Sequence, residues 1–235
     1  MERCCAVVEL RQYTLHPGAR DTLVRLFDAH FVEGQERCGM RIIGQFRDLD
    51  DPDRFVWLRG FADMEARTRA LEAFYGGPVW KEHGPAANAT MVDHTDVLLL
   101  RPAPGTAGFR FDPRLRPEPE SPGVAAGVVV ATIDHLSEPA ADAVAARPGG
   151  TDAGVLARLV TEPARNPFVR LPVREDANVL VTFFSYATAD AYRPSSIPSP
   201  GVVRREHLRL QPARRSFLRH SPTPRRGEGR VRGAS

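Results

Sequence analysis

Arg54-Phe55-Val56-Trp57-Leu58-Arg59-Gly60-Phe61-Ala62-Asp63 is the stretch that decides the fold. Residues 54–62 alternate at period two, as a strand with two unlike faces does, and Asp63 stands where a helix N-cap belongs. Just upstream, Asp50-Asp51-Pro52-Asp53 forms a reverse turn and residues 40–48 read as a second strand, so the two make a hairpin. The three aspartates are turn formers rather than an acidic site. Further out lies a strand over 6–14, with Val8 and Leu10 alternating with Glu9, Arg11 and Tyr13. Pro17-Gly18 then opens a helix whose Leu23, Leu26, Phe27 and Phe31 form one stripe, and Gly39 ends it. The helix capped by Asp63 runs through Tyr75 and stops at Gly76-Gly77-Pro78, after which a loop leads to a last strand over 97–101. The order is βαββαβ, the ferredoxin-like α+β arrangement in which two helices cover one face of a four-stranded antiparallel sheet.

Residues 103–122 are rich in Pro, Gly and Glu with little periodicity, and read as a linker. The pattern then restarts: strands over 127–133, 155–161, 178–187 and 207–211, with a short helix over 138–146. Pro194, Pro198 and Pro200 fall where a second helix belongs and point to a loop. Gly60-Phe61-Ala62-Asp63 aligns with Ser185-Tyr186-Ala187-Thr188, and residues 97–102 align with 207–212. The expected organisation is a first unit over 1–102, the linker, a degraded second unit over 123–212, and a basic disordered tail over 213–235.

Net charge is +3, with 42% hydrophobic and 26% charged residues, ordinary usage for a folded protein. The last 23 residues hold seven arginines against Glu228, so the basic character belongs to the tail while the body is slightly acidic. No apolar run suits a bilayer, and Glu9 and Arg11 interrupt the N-terminal apolar stretch, which excludes a signal peptide core. The chain is therefore read as cytoplasmic, with Cys4, Cys5 and Cys38 as reduced thiols. Metalloprotease, nucleotide-binding, serine hydrolase and dinucleotide fingerprints are missing from the sequence, and neither a metal nor a cofactor is expected.

The chain resembles bacterial members of the NIPSNAP family. The resemblance rests on residues 8–13 (VELRQY) with His16-Pro17-Gly18, Gly44-Gln45-Phe46, residues 55–61, Phe74-Tyr75, Gly77-Pro78-Val79-Trp80 and Asn88-Ala89-Thr90-Met91. In the second half it continues in Thr161-Glu162-Pro163, Asn166-Pro167-Phe168 and residues 171–175 (LPVRE). It implies a dimeric α+β barrel, two such sheets face to face, either between two chains as a homodimer or between tandem units of one chain. It implies no particular reaction.

Strand parity locates the candidate residues. If Val8, Leu10, Val56, Leu58 and Gly60 face the helices, then Arg11, Tyr13, Gln45, Trp57 and Arg59 share the opposite face and line the barrel interior, with Trp80 beside them. Aromatic walls with a few arginines suit a small aromatic or anionic ligand. Alternatively, Arg59 pairs with Glu9 or with an acid across the interface. His83, in the loop after Trp80, is a candidate for proton transfer, whereas His30 reads as a core residue of the first helix. Three functions compete: a binding protein; by analogy with barrels of the fold that the resemblance implies, a cofactor-independent monooxygenase-like or haem-related enzyme acting on a quinol or polyketide-like substrate; and nucleic-acid association through the tail. The tail's charge comes without aromatic interleaving or a recognised nucleic-acid-binding domain, so a nucleic-acid partner is disfavoured, and a membrane partner is not expected.

Overall fold

The computed structural model describes residues 2–106, 108–118, 125–139, 154–194 and 201–220. Ten strands are formed: β1 (Glu2–Arg3), β2 (Val7–Leu15), β3 (Arg41–Asp48), β4 (Arg54–Phe61), β5 (Met91–Pro102), β6 (Arg110–Phe111), β7 (Val128–Leu136), β8 (Val155–Thr161), β9 (Val179–Tyr186) and β10 (Val202–Pro212). The helices α1 (Arg20–Leu26) and α2 (Val32–Arg37) are joined without a break by a π-helical turn, Phe27–Phe31, and α3 (Met64–Gly76) and α4 (Pro78–Asn88) follow β4. Eight strands close an antiparallel barrel within this one chain, in the order β10-β3-β4-β2-β5-β8-β9-β7. The helices α1 to α4 lie against the sheet of the first half.

The two halves repeat one pattern of pairing. Each places its strands in the order second, third, first, fourth: β3-β4-β2-β5, then β8-β9-β7-β10. The rung Glu9–Arg59 of β2–β4 corresponds to Val130–Phe184 of β7–β9, and Val8–Leu100 corresponds to Val129–Leu210. Even the register shift between Ile42 and Gly44 recurs between Val155 and Ala157. The junctions match too, Leu100 pairing with Thr161 and Leu210 with Asp48.

The barrel interior is a packed core. Val8, Leu10, Phe46, Val56 and Leu58 of the first half meet Ala131, Leu159, Phe183 and Leu210 of the second, and Phe109 and Leu218 belong to the same core. An eight-stranded barrel has just the width that side chains fill. This inverts the parity expected for the candidate residues. Arg11, Tyr13, Gln45, Trp57 and Arg59 do share a face, but it is the helix-covered one, where Tyr13 and Trp57 pack with Leu23, Phe27, Phe31 and Phe74. The expectation assumed that arginines beneath helices would be stranded, and Glu9 on the same face supplies the counter-charge that makes burial feasible.

Several boundaries also move. Pro78 stops α3 and opens α4, because proline is tolerated at the first position of a helix, so His83 lies on a helix instead of in a loop. The expected linker carries β6, which pairs with β1, and it buries Ala103 and Phe109. The stretch after β10 is docked as far as Leu218: Arg215 is buried against Glu33, and Ser216 and Leu218 extend the core, so 213 is not where order ends. Cys4 and Cys5 are joined in a disulfide, not reduced as expected, while Cys38 is free. Bridging sequence neighbours requires no paired framework, the feature on which the expectation turned. The helix expected over 138–146 lies outside the described residues beyond 139, as do Pro198, Pro200 and the tail from 221.

Candidate functional site

The site begins at β2 and β4, whose register sets Glu9 opposite Arg59 and Arg11 opposite Trp57. Glu9 Oε2 accepts from Arg11 Nη1 and from Arg59 Nε, both at 2.7 Å, and Glu9 Oε1 accepts from Arg67 Nε of α3 at 2.6 Å. All four side chains are fully buried. Burial alone would push the Glu9 carboxyl up, but Arg59, Arg11 and Arg67 overcome it and hold Glu9 well below the usual carboxylate range. Three guanidiniums on one carboxylate leave a surplus of two positive charges.

Neutral groups absorb part of that surplus. Arg11 Nε donates to the Tyr13 hydroxyl at 2.9 Å, and Arg59 Nη1 to Gln35 Oε1 at 3.0 Å and more weakly to the Tyr75 hydroxyl at 3.4 Å. Arg67 Nη1 donates to Asn166 Oδ1 at 2.8 Å, a side chain from the second half. The guanidiniums also lie near aromatic rings, Arg59 5.0 Å from the Trp57 centroid and Arg11 5.5 Å from that of Tyr13. The Nη2 atoms of Arg11, Arg59 and Arg67 are buried with no partner among the described residues.

In front of this cluster a cleft of about 440 Å³ opens to the surface, with Tyr13, Tyr75, Trp80 and Phe168 as walls and Asn88, His94 and Arg170 among its polar lining. A chamber of about 30 Å³, lined by Trp57, Phe27, Phe31, Gln35 and Phe74, shares Tyr13, Tyr75, Trp80 and Met91 with it. Local sequence explains the shape. The π-helical turn carries Phe27 and Phe31, both buried, toward the sheet. On α4 the Trp80 ring lies over Gly84, where an added Cβ would come within 2.7 Å of it, so only glycine allows that ring position. The segment after β8 crosses from the second half to the first and sets Phe168 against Tyr75, ring centroids 6.1 Å apart. A wider groove of about 810 Å³ lies beside Phe109, Leu115 and Phe217.

Of the residues expected from sequence, Tyr13 and Trp80 wall the cleft and Trp57 the chamber, while Arg11 and Arg59 stand behind the phenols. Gln45 turns away to Asp28, its Nε2 donating at 3.3 Å. His83 lines neither space. It stacks on His30 with centroids 3.6 Å apart, which places His30 at the exposed surface and not in the core. Sequence reasoning missed Arg67, Tyr75, Asn88, His94 and Arg170 as site residues. Tyr75, Asn88 and Phe168 lay in stretches that carried the family resemblance, a signal that could have found them.

Comparison with known proteins bears on the fold and the family. The NIPSNAP family profile matches residues 8–106. A candidate monooxygenase from Fusobacterium nucleatum superposes with a TM-score of 0.57 at 10% identity, covering 89% of this chain and 93% of that one. Another from Lactobacillus acidophilus gives 0.52 at 13%, covering 87% and 92%. A NIPSNAP domain protein from Burkholderia xenovorans aligns at 17% identity with a TM-score of 0.39, covering 43% of this chain and 97% of its own. No curated protein matches. At such identities the likeness is one of fold.

Proposed function

We propose, from the premise that this chain is a NIPSNAP family protein by its residues 8–106, that it binds a small aromatic or anionic molecule between the sheet and the helices of its first half. The single observation that carries this reading is the aromatic cleft of about 440 Å³, continuous in its lining with an inner chamber and backed by surplus buried positive charge. Concave sites with apolar walls and a few convergent polar groups are the usual form of small-molecule sites. The barrel interior, filled by the side chains of both halves, is not the binding space.

The matching registers support reading the chain as two related ferredoxin-like units closed on one another, the first holding the ligand and the second lending Phe168, Arg170 and Leu171 to its wall. Likeness to two candidate monooxygenases is compatible with turnover of the bound molecule, as a likeness of fold only.

Thermal-shift screening of the purified chain against quinols, aromatic polyketides and haem tests the proposal. At least one class should raise the melting temperature by several degrees. Asn88→Trp, at an exposed position of the cleft, should abolish that rise while leaving the free protein's melting temperature unchanged. A compound that stabilises wild type and Asn88→Trp equally would place binding elsewhere. Consumption of a stabilising compound by catalytic amounts of protein, with uptake of oxygen, would mark an enzyme.

A further inference from the structure

Tyr13 and Tyr75 occupy a special position between the buried charge and the open cleft. Both line the cleft and the inner chamber, and both hydroxyl oxygens accept hydrogen bonds from buried guanidiniums, Tyr13 from Arg11 and Tyr75 from Arg59. A phenol that accepts from a cation keeps its own O–H free to donate, and donates more strongly for being polarised. Neither hydroxyl donates to an acceptor among the described residues. Burial pushes the Tyr13 hydroxyl up despite Arg11 beside it, so at neutral pH it remains protonated and a donor. Behind the pair stands a surplus of two positive charges, in surroundings where burial leaves little water to screen it.

Resting on the cleft reading above, we infer that the ligand is an anion, a planar aromatic molecule bearing a carboxylate, phenolate or enolate, whose charged oxygen is held by the Tyr13 and Tyr75 hydroxyls in front of Arg11 and Arg59. The arrangement transmits charge through a neutral donor. The guanidiniums, locked on Glu9, stay fixed, and the phenols present the donors at the surface the ligand reaches. Preorganised donors of this kind favour an oxyanion over a neutral isostere, since the full charge of a carboxylate gains far more from the surplus than the dipole of an amide does. Arg170, exposed on the second-half segment, adds positive charge to the same cleft.

The test compares two probes of equal shape, 2-naphthoate, ionised at pH 7, and 2-naphthamide, neutral at every accessible pH, by isothermal titration of the full chain. Naphthoate should bind at least tenfold more tightly than the amide. Tyr75→Phe should reduce that preference several-fold by weakening naphthoate more than the amide, and Tyr13→Phe should do the same where circular dichroism confirms a native fold. Because the Arg59–Tyr75 hydrogen bond is long, at 3.4 Å, Tyr75→Phe should remain folded and keep the test open if Tyr13→Phe does not. Equal binding of acid and amide in wild type, or an acid preference untouched by Tyr75→Phe, would overturn this inference and leave the cleft reading standing. Failure of both probes to bind at millimolar concentration would overturn the two together.

Discussion

At matching rungs of the two half-barrels, the faces turned away from the barrel interior carry opposite chemistry. Where the first half sets Glu9 opposite Arg59, the second sets Val130 opposite Phe184. Where the first has Arg11 opposite Trp57, the second has Thr132 opposite Thr182. The position of Tyr13 corresponds to Asp134, which pairs with Arg205 at the barrel's outer surface. An apolar rung therefore serves this architecture as well as an ionic one. Buried ion pairs are often no more stabilising than packed apolar residues of similar size. The charge cluster of the first half is thus not something the fold demands, and it stands beside the aromatic cleft.

Measurements on single variants and truncations would sharpen or break this contrast. Glu9→Gln should have the largest effect, because it leaves three buried guanidiniums without their carboxylate, and urea unfolding should show a loss of roughly 3–5 kcal/mol. Asp134→Asn, at the matching region of the second half, should cost clearly less, since Arg205 is partly exposed. Equal costs would remove the distinction between the halves. The sign with pH follows from Glu9's depressed folded pKa. Its stabilisation is present above the unfolded value of about 4.3 and is lost as pH falls toward the folded one. Acid unfolding of wild type should contain a component that Glu9→Gln lacks.

Arg59→Met should cost less than Glu9→Gln, about 1–3 kcal/mol, since Glu9 retains Arg11 and Arg67 and the positive surplus falls. A loss equal to that of Glu9→Gln would mean that all three arginines are needed to hold the carboxylate.

Asp28, on the π-helical turn, is a first-half acid that burial penalises, pushed up to about 6 although Arg215 opposes the shift. A raised carboxyl favours the fold when protonated, so its contribution is fully present below about 4 and is lost as pH rises through 6. Asp28→Asn should therefore stabilise the protein at pH 8 by roughly 1–2 kcal/mol and have little effect at pH 4. Stabilisation that does not vary with pH would point to a packing effect instead.

The smallest effect is expected at the C-terminus. Residues 221–235 hold four arginines and Val231 as their only large aliphatic residue, too little apolar surface to offset ordering entropy. Their deletion should leave the melting temperature unchanged. Removing the docked stretch as well, with Arg215 and Leu218, should lower it by several degrees.

Much of the fold was legible because it rests on local periodicity and punctuation. The alternation in residues 54–62 and the Asp63 cap, whose carboxylate accepts from the Ala66 amide at 2.7 Å, are properties of the chain itself. So was the grouping of Arg11, Tyr13, Gln45, Trp57 and Arg59 on one face, since strand parity allows no other. The two short alignments between the halves also coincide with the observed registers.

Which face received the helices was not a local property. Both faces of β2 and β4 are apolar enough to be buried, and the choice between them depended on side chains far away in sequence. Gln35, Arg67, Tyr75 and Asn166 come from three other segments: Gln35 and Tyr75 accept from Arg59, Arg67 donates to Glu9, and Asn166 accepts from Arg67. Their hydrogen bonds make burial of the charged face feasible, while the aliphatic face found its match across the barrel in the second half. Sequence alone thus determined most of the barrel strands and the set of residues that belong together. Only the tertiary structure decided that this set lies beneath the helices, because the counter-charge, the aromatic walls and the segment carrying Phe168 converge there only once the two halves have closed.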